Sequence, residues 1–254
     1  MRKHHLSYLA ACAIALGGLA AASAAQAQAD AEKSRPVLSL YHVEVKHGES
    51  RAWREGVKAL KDCYGEQKGE RSWWTWERQN GRGTLYTVVL SSPSWADFDN
   101  QDPNMRACYT IFDEKMSPHE VSVTTQFMRP NSDLHQPGTG PVARVTGLTL
   151  NDYDKFMEVA KAVTETQKAE KAAPREWFDN MAGANGEEDV LVIRRYDNYA
   201  GMDAEEEGLW AMMTRVHGEE KSKAWRAQAR EAIDAGWTYI YEYKADLSYE
   251  PTKK

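Results

Sequence analysis

The chain has 254 residues, is 28% charged and 42% hydrophobic, and carries a formal charge of −6. That composition is the ordinary one of a globular protein and excludes disordered or fibrous classes. The acidic balance argues against a nucleic-acid partner, because phosphate binding needs a basic stripe.

The first segment reads as a secretory signal peptide. MRKHH is basic, LSYLAACAIALGGLAAASA is apolar, and AQAQA offers small residues two apart. Cleavage before Gln28 or Asp30 is expected, leaving residues 30–36 as a short tail. No later segment is long and apolar enough to span a membrane. The processed chain would lose Arg2 and Lys3, carry −8, and keep only Cys63 and Cys108. These features predict a soluble periplasmic or secreted protein, with no stable membrane insertion after processing.

The processed chain then runs through one order of elements twice. VLSLYHVEV, Val37 to Val45, is a β-branched strand. Trp53, Val57, Leu60 and Tyr64 follow at helical spacing. SWWTWER, Ser72 to Arg78, and TLYTVVLSS, Thr84 to Ser92, flank the hairpin signal Asn80-Gly81. A second helix is predicted from Met105, Cys108, Ile111, Phe112 and Met116. VSVTTQFM, Val121 to Met128, closes this pass, which covers residues 37–130. Residues 131–141, NSDLHQPGTGP, have the composition of a linker.

The order restarts with VARVTGLTL, Val142 to Leu150, and continues over residues 142–246. Asn151 or Asp152 can cap a helix with Tyr153, Phe156, Met157, Ala160, Val163 and Thr164 on one face. REWFDNM, Arg175 to Met181, and DVLVIRRY, Asp189 to Tyr196, flank the turn AGANGEE. A helical region from about Met202 ends near Ala235, with Gly236 as its C-terminal cap. TYIYEYKA, Thr238 to Ala245, is the last strand, and residues 247–254 are a tail. The halves align at an offset of about 105, which sets Trp74 near Trp177.

Each half therefore reads βαββαβ, the ferredoxin-like order. Two such units in one chain resemble the dimeric α+β barrel superfamily in fused form, over about Val37 to Ala245. The resemblance lies in topology. It implies an α+β fold of two tandem ferredoxin-like repeats, packed as an intrachain barrel whose sheets enclose a cavity. The superfamily includes antibiotic-biosynthesis-type monooxygenases, haem proteins and small stress-related proteins.

No residue pattern names a reaction. There is no CxxC, HxxxH or HExxH metal spacing, and neither GxSxG nor GxGxxG occurs. His47, His119, His135 and His217 fall in turns, in the linker or at element boundaries and read as surface residues. No helical histidine stands where the haem relatives would place an axial ligand, so no cofactor is expected. His42 lies among apolar neighbours in the first strand.

Strand alternation puts Trp74 and Trp76 on one face and Trp73 on the other. Arg194 and Arg195 point oppositely from one strand. His42, Trp74, Trp76, Arg194 and Tyr241 are the candidate pocket residues, suited to a small aromatic or anionic ligand. Cys63 and Cys108 can pair only where the second helix starts favourably. An offset of ten residues along parallel helices would hold them roughly 15 Å apart. Three functions follow as expectations. The first is a non-catalytic ligand-binding or structural stress-type barrel. The second is a cofactor-free monooxygenase for a small aromatic. The third is a homo-oligomeric interaction module.

Overall fold

The computed structural model describes residues 35–182, 187–204 and 207–251. The signal-like segment, most of the AGANGEE turn, and Glu205 and Glu206 lie outside those residues. In chain order the main elements are β1 (Val37–Val45), α1 (Ser50–Glu66), β2 (Trp73–Arg78), β3 (Thr84–Ser92) and β4 (Glu120–Pro130). After these come β5 (Val142–Leu150), α2 (Tyr153–Ala169), β6 (Glu176–Ala182), β7 (Val190–Tyr196), α3 (Leu209–His217), α4 (Glu219–Ala232) and β8 (Ile233–Tyr243).

The architecture is α+β. The eight strands close into one antiparallel barrel in the order β1-β3-β2-β8-β5-β7-β6-β4. The runs β4-β1-β3-β2 and β8-β5-β7-β6 repeat one order, and β2–β8 and β4–β6 pairing closes the ring. Closure removes the open sheet edges that would otherwise invite aggregation.

Alternation sorts side chains between the barrel interior and the outer layer. On β1, Leu40 faces inward with Met128, Val145 and Tyr241, while Val43 and Val45 face outward to α1. The α1 stripe of Trp53, Val57, Leu60 and Tyr64 is buried against that outer face, as its periodicity predicts. α2 begins where Asp152 caps it, its carboxylate accepting from the Lys155 N–H at 2.9 Å. Phe156, Met157 and Ala160 of α2 pack on Trp177 and Val190 of the second sheet half.

Several expectations change here. The single helix read between β3 and β4 is broken into the helical turns Pro103–Arg106 and Tyr109–Ile111 and a π-turn, Phe112–Met116. Pro103 and Pro118 bound this stretch and confine any helix within it. The broken path also sets Cys108 beside Cys63. A disulfide joins them across a Cα–Cα distance of 6.1 Å. The roughly 15 Å offset held only for an unbroken helix. Close by, Gly56 meets the Lys115 carbonyl so tightly that an added Cβ would lie 2.3 Å from its oxygen.

The second change is at β8, which starts at Ile233, so Gly236 is a strand residue and not a helix cap. The third is the tail. Leu247 is fully buried in the α1-side core. Trp73 donates from Nε1 to the Leu247 carbonyl at 2.9 Å, and its main chain exchanges two bonds with Tyr249. The linker is likewise packed, with Leu134 buried against the α2 layer. Trp73 and Trp177 both face the helices, so the faces match Trp74 with Phe178, not with Trp177. Among the described residues no helix is long and apolar enough to cross a membrane.

Candidate functional site

The barrel interior is not filled by its own side chains. It holds a cavity of about 400 Å³. Its walls are largely apolar, from Leu38 and Leu40 of β1, Val89 of β3, Val145 of β5, and Leu191 and Ile193 of β7. Trp74, Trp76, Trp237 and Tyr241 add aromatic surface. Trp237 lies flat because its cross-strand partner is Gly147. A Cβ there would meet the indole at 2.4 Å. The volume sits within the roughly 300–1,000 Å³ range of small-molecule sites.

The polar groups fall in a connected track. His42, Thr87 and Trp76 occupy facing positions of β1, β3 and β2. His42 Nδ1 lies 3.0 Å from the Thr87 hydroxyl and Nε2 lies 3.4 Å from Gln126 Oε1. With Gln126 Oε1 accepting, Nε2 carries the proton and Nδ1 accepts from Thr87. Desolvation by burial lowers the pKa of His42 below its ordinary value, against the opposing pull of Gln126, and keeps the ring neutral. Tyr241 is pushed up to about 12, first by burial, while the bond to the Thr87 hydroxyl pulls the other way. Thr87 thus bridges a neutral imidazole and a protonated phenol.

Arg195 continues the track. Its guanidinium stands 4.5 Å from the centre of the Trp76 ring, and its Nε donates to Glu176 Oε2 at 2.8 Å. Glu176 is almost fully buried, and its other oxygen accepts from the Gly138 N–H at 3.4 Å. Glu188 and His135 also line the cavity. His135 Nδ1 lies against the Trp177 main chain at 3.1 Å.

Of the residues expected from the sequence, His42, Trp74, Trp76 and Tyr241 line this cavity. Arg194 does not. It stacks on Tyr196 on the outer side of β7, 4.7 Å from the ring centre. Its neighbour Arg195 takes the inward position, because adjacent strand residues face opposite ways. His135, read as a surface linker residue, is also a lining residue. Cys63 and Cys108 sit in the outer α1 layer, away from the cavity. Thr87, Glu176, Glu188 and Trp237 were not singled out by sequence. Trp237 alone carried a signal, as a large aromatic directly preceding the final predicted strand.

The donor set does not suit a haem iron at His42, since both ring nitrogens are already engaged. Among the described residues no cluster of histidine, cysteine and carboxylate side chains is arranged to hold a metal ion.

No family model matches the chain, and no curated protein matches it. Among solved structures it is similar to a candidate monooxygenase from Lactobacillus acidophilus NCFM, at 9% identity and TM-score 0.53 over 85% of this chain and 97% of that one. A candidate monooxygenase from Fusobacterium nucleatum subsp. nucleatum is similar at 13% identity and TM-score 0.53, over 85% and 98%. An anthrone oxidase-like protein gives 10% identity and TM-score 0.53, over 88% and 96%. At such identities the likeness is one of fold, that of the dimeric α+β barrel.

Proposed function

We propose that this chain is an exported protein of two tandem ferredoxin-like repeats whose barrel interior binds a small, mainly apolar aromatic molecule. The observation that carries this reading is the cavity itself. It is lined by three tryptophans and aliphatic strand residues, with a few fixed polar groups on one connected track. Apolar walls supply affinity through burial, and the polar groups orient the ligand. A thermal-shift screen of uncharged aromatics against the purified protein tests it, with tryptophan fluorescence as a second readout. Bound ligand raises the melting temperature by mass action. A panel that leaves both signals unmoved refutes the reading.

A second reading rests on His42. Its neutral imidazole, linked through Thr87 to Tyr241, is a base that stays unprotonated beside a water-poor aromatic chamber. In a cofactor-free oxygenase the Thr87 hydroxyl would turn away to free His42 Nδ1, which would take a proton from an electron-rich aromatic, and the carbanion would add dioxygen to give a peroxide that loses water to leave the oxidised product. Oxygen uptake in the presence of such aromatics, lost in His42→Ala, supports this. Tight binding without uptake removes it and leaves the first reading standing.

A further inference from the structure

We infer that the ligand of the barrel cavity is uncharged and carries an oxygen that accepts hydrogen bonds from the terminal amino groups of Arg195, with Glu176 excluding anionic analogues. This deepens the binding function proposed above and rests on it.

The first observation is how Arg195 is held. A guanidinium has five N–H donors. The protein engages only Nε, which donates to Glu176 at 2.8 Å, while the flat face rests on Trp76. These two contacts fix the plane of the group. The terminal amino groups have no protein acceptor among the described residues, yet the side chain lines the cavity. Oriented donors on the wall of a largely apolar chamber define a site for an acceptor atom.

The second observation is charge. Among the described residues the lining holds two carboxylates, Glu176 and Glu188, and one guanidinium, Arg195. Glu176 already compensates Arg195, with its side chain 9% exposed and that of Arg195 22% exposed. Seating a carboxylate ligand there would bring a further negative charge into a desolvated space that already has a surplus of them. Such a transfer is strongly unfavourable without a free countercharge. A ketone, ester or quinone oxygen keeps the hydrogen bonds and avoids the penalty. Glu176 therefore has two effects. It aims Arg195, and it rejects anions, which is specificity by an unfavourable alternative.

Three compounds of one shape separate the effects in calorimetric titrations. Acetylnaphthalene carries the acceptor, ethylnaphthalene lacks it, and naphthoate carries the charge. The native protein should bind the ketone about tenfold more tightly than the hydrocarbon. It should bind naphthoate at least about tenfold more weakly than the ketone. In Glu176→Gln, with an unchanged circular-dichroism spectrum, naphthoate should gain about tenfold relative to the ketone. The double variant Glu176→Gln/Arg195→Met removes both charges together and leaves no lone buried ion. It should lose the preference for the ketone over the hydrocarbon. Naphthoate binding the native protein as tightly as the ketone overturns this inference alone. So does a ketone preference that persists in the double variant. If none of the three binds, the cavity-binding function falls and takes this inference with it.

Discussion

Arg195 reaches across the barrel interior from β7 to rest its guanidinium 4.5 Å from the ring centre of Trp76 on β2. The two residues come from opposite halves of the chain, and Glu176 locks the arrangement at 2.8 Å. Trp76 also packs on Tyr243 of β8, with ring centres 5.3 Å apart. Replacing Trp76 by Leu should therefore cost about 1–3 kcal/mol, the sum of a lost cation–π contact and a lost aromatic pair. Urea denaturation measures this. An unchanged midpoint would show that the contact across the interior adds nothing.

The three tryptophans of β2 should separate by face. Trp73 is buried, stacks on Tyr249 with ring centres 4.9 Å apart, and bonds the Leu247 carbonyl. Trp73→Ala should cost about 3–5 kcal/mol, as for a large side chain removed from a closed core. Trp74 is half-buried on the cavity face, so Trp74→Ala should cost about 1 kcal/mol and act mainly on ligand binding. Equal losses from the two variants would contradict the assigned faces.

His42 should make stability depend on pH in mild acid. The unfolded chain takes up a proton at the ordinary value of 6.5, whereas burial holds the folded value lower. Below 6.5 the unfolded state binds more protons, so stability is full above that value and declines as pH falls towards the folded pKa. Melting temperatures from about pH 7.5 down to about pH 5 should fall less steeply in His42→Gln than in the native protein. A parallel decline in both proteins would remove His42 as the source.

The Cys63–Cys108 disulfide closes a sequence separation of 45 residues and ties the broken segment before β4 to α1. Cys63→Ser/Cys108→Ser should lower stability by about 2–4 kcal/mol. Because the bridge lies outside the barrel, ligand affinity should stay within a factor of about two, the coupling expected of sites that share no partners. A large change in affinity would mean that the outer layer controls the cavity.

Much of the barrel was written in period-two alternation. β1, β3 and β5 were readable to the residue, and side-chain parity set Trp74 and Trp76 on one face with Trp73 on the other, but which of the two faces is the inner one was not readable. The choice between Arg194 and Arg195 was not readable. Both faces of β7 are apolar, Val190 and Val192 toward the helices, Leu191 and Ile193 toward the cavity. With two buried faces, composition does not say which one the following arginine shares. His135 and Leu247 were misplaced for a different reason. Each is fixed by contacts with residues distant in sequence, and turn-like local composition carries no trace of those. The break before β4 was half-visible in Pro103 and Pro118, but helical spacing from Met105 to Met116 masked it.

Leu247 to Tyr249 bear on the order in which the molecule can be completed. These residues fill the layer over β2, some 170 residues earlier in the chain, where Thr75 donates its N–H to Ser248 Oγ at 2.8 Å. The half that is made first is thus finished by residues made much later. During synthesis the α1 layer has to wait with Trp73 uncovered until Leu247 to Tyr249 have emerged, a period of exposure in which a holding chaperone would find an aromatic surface to grip.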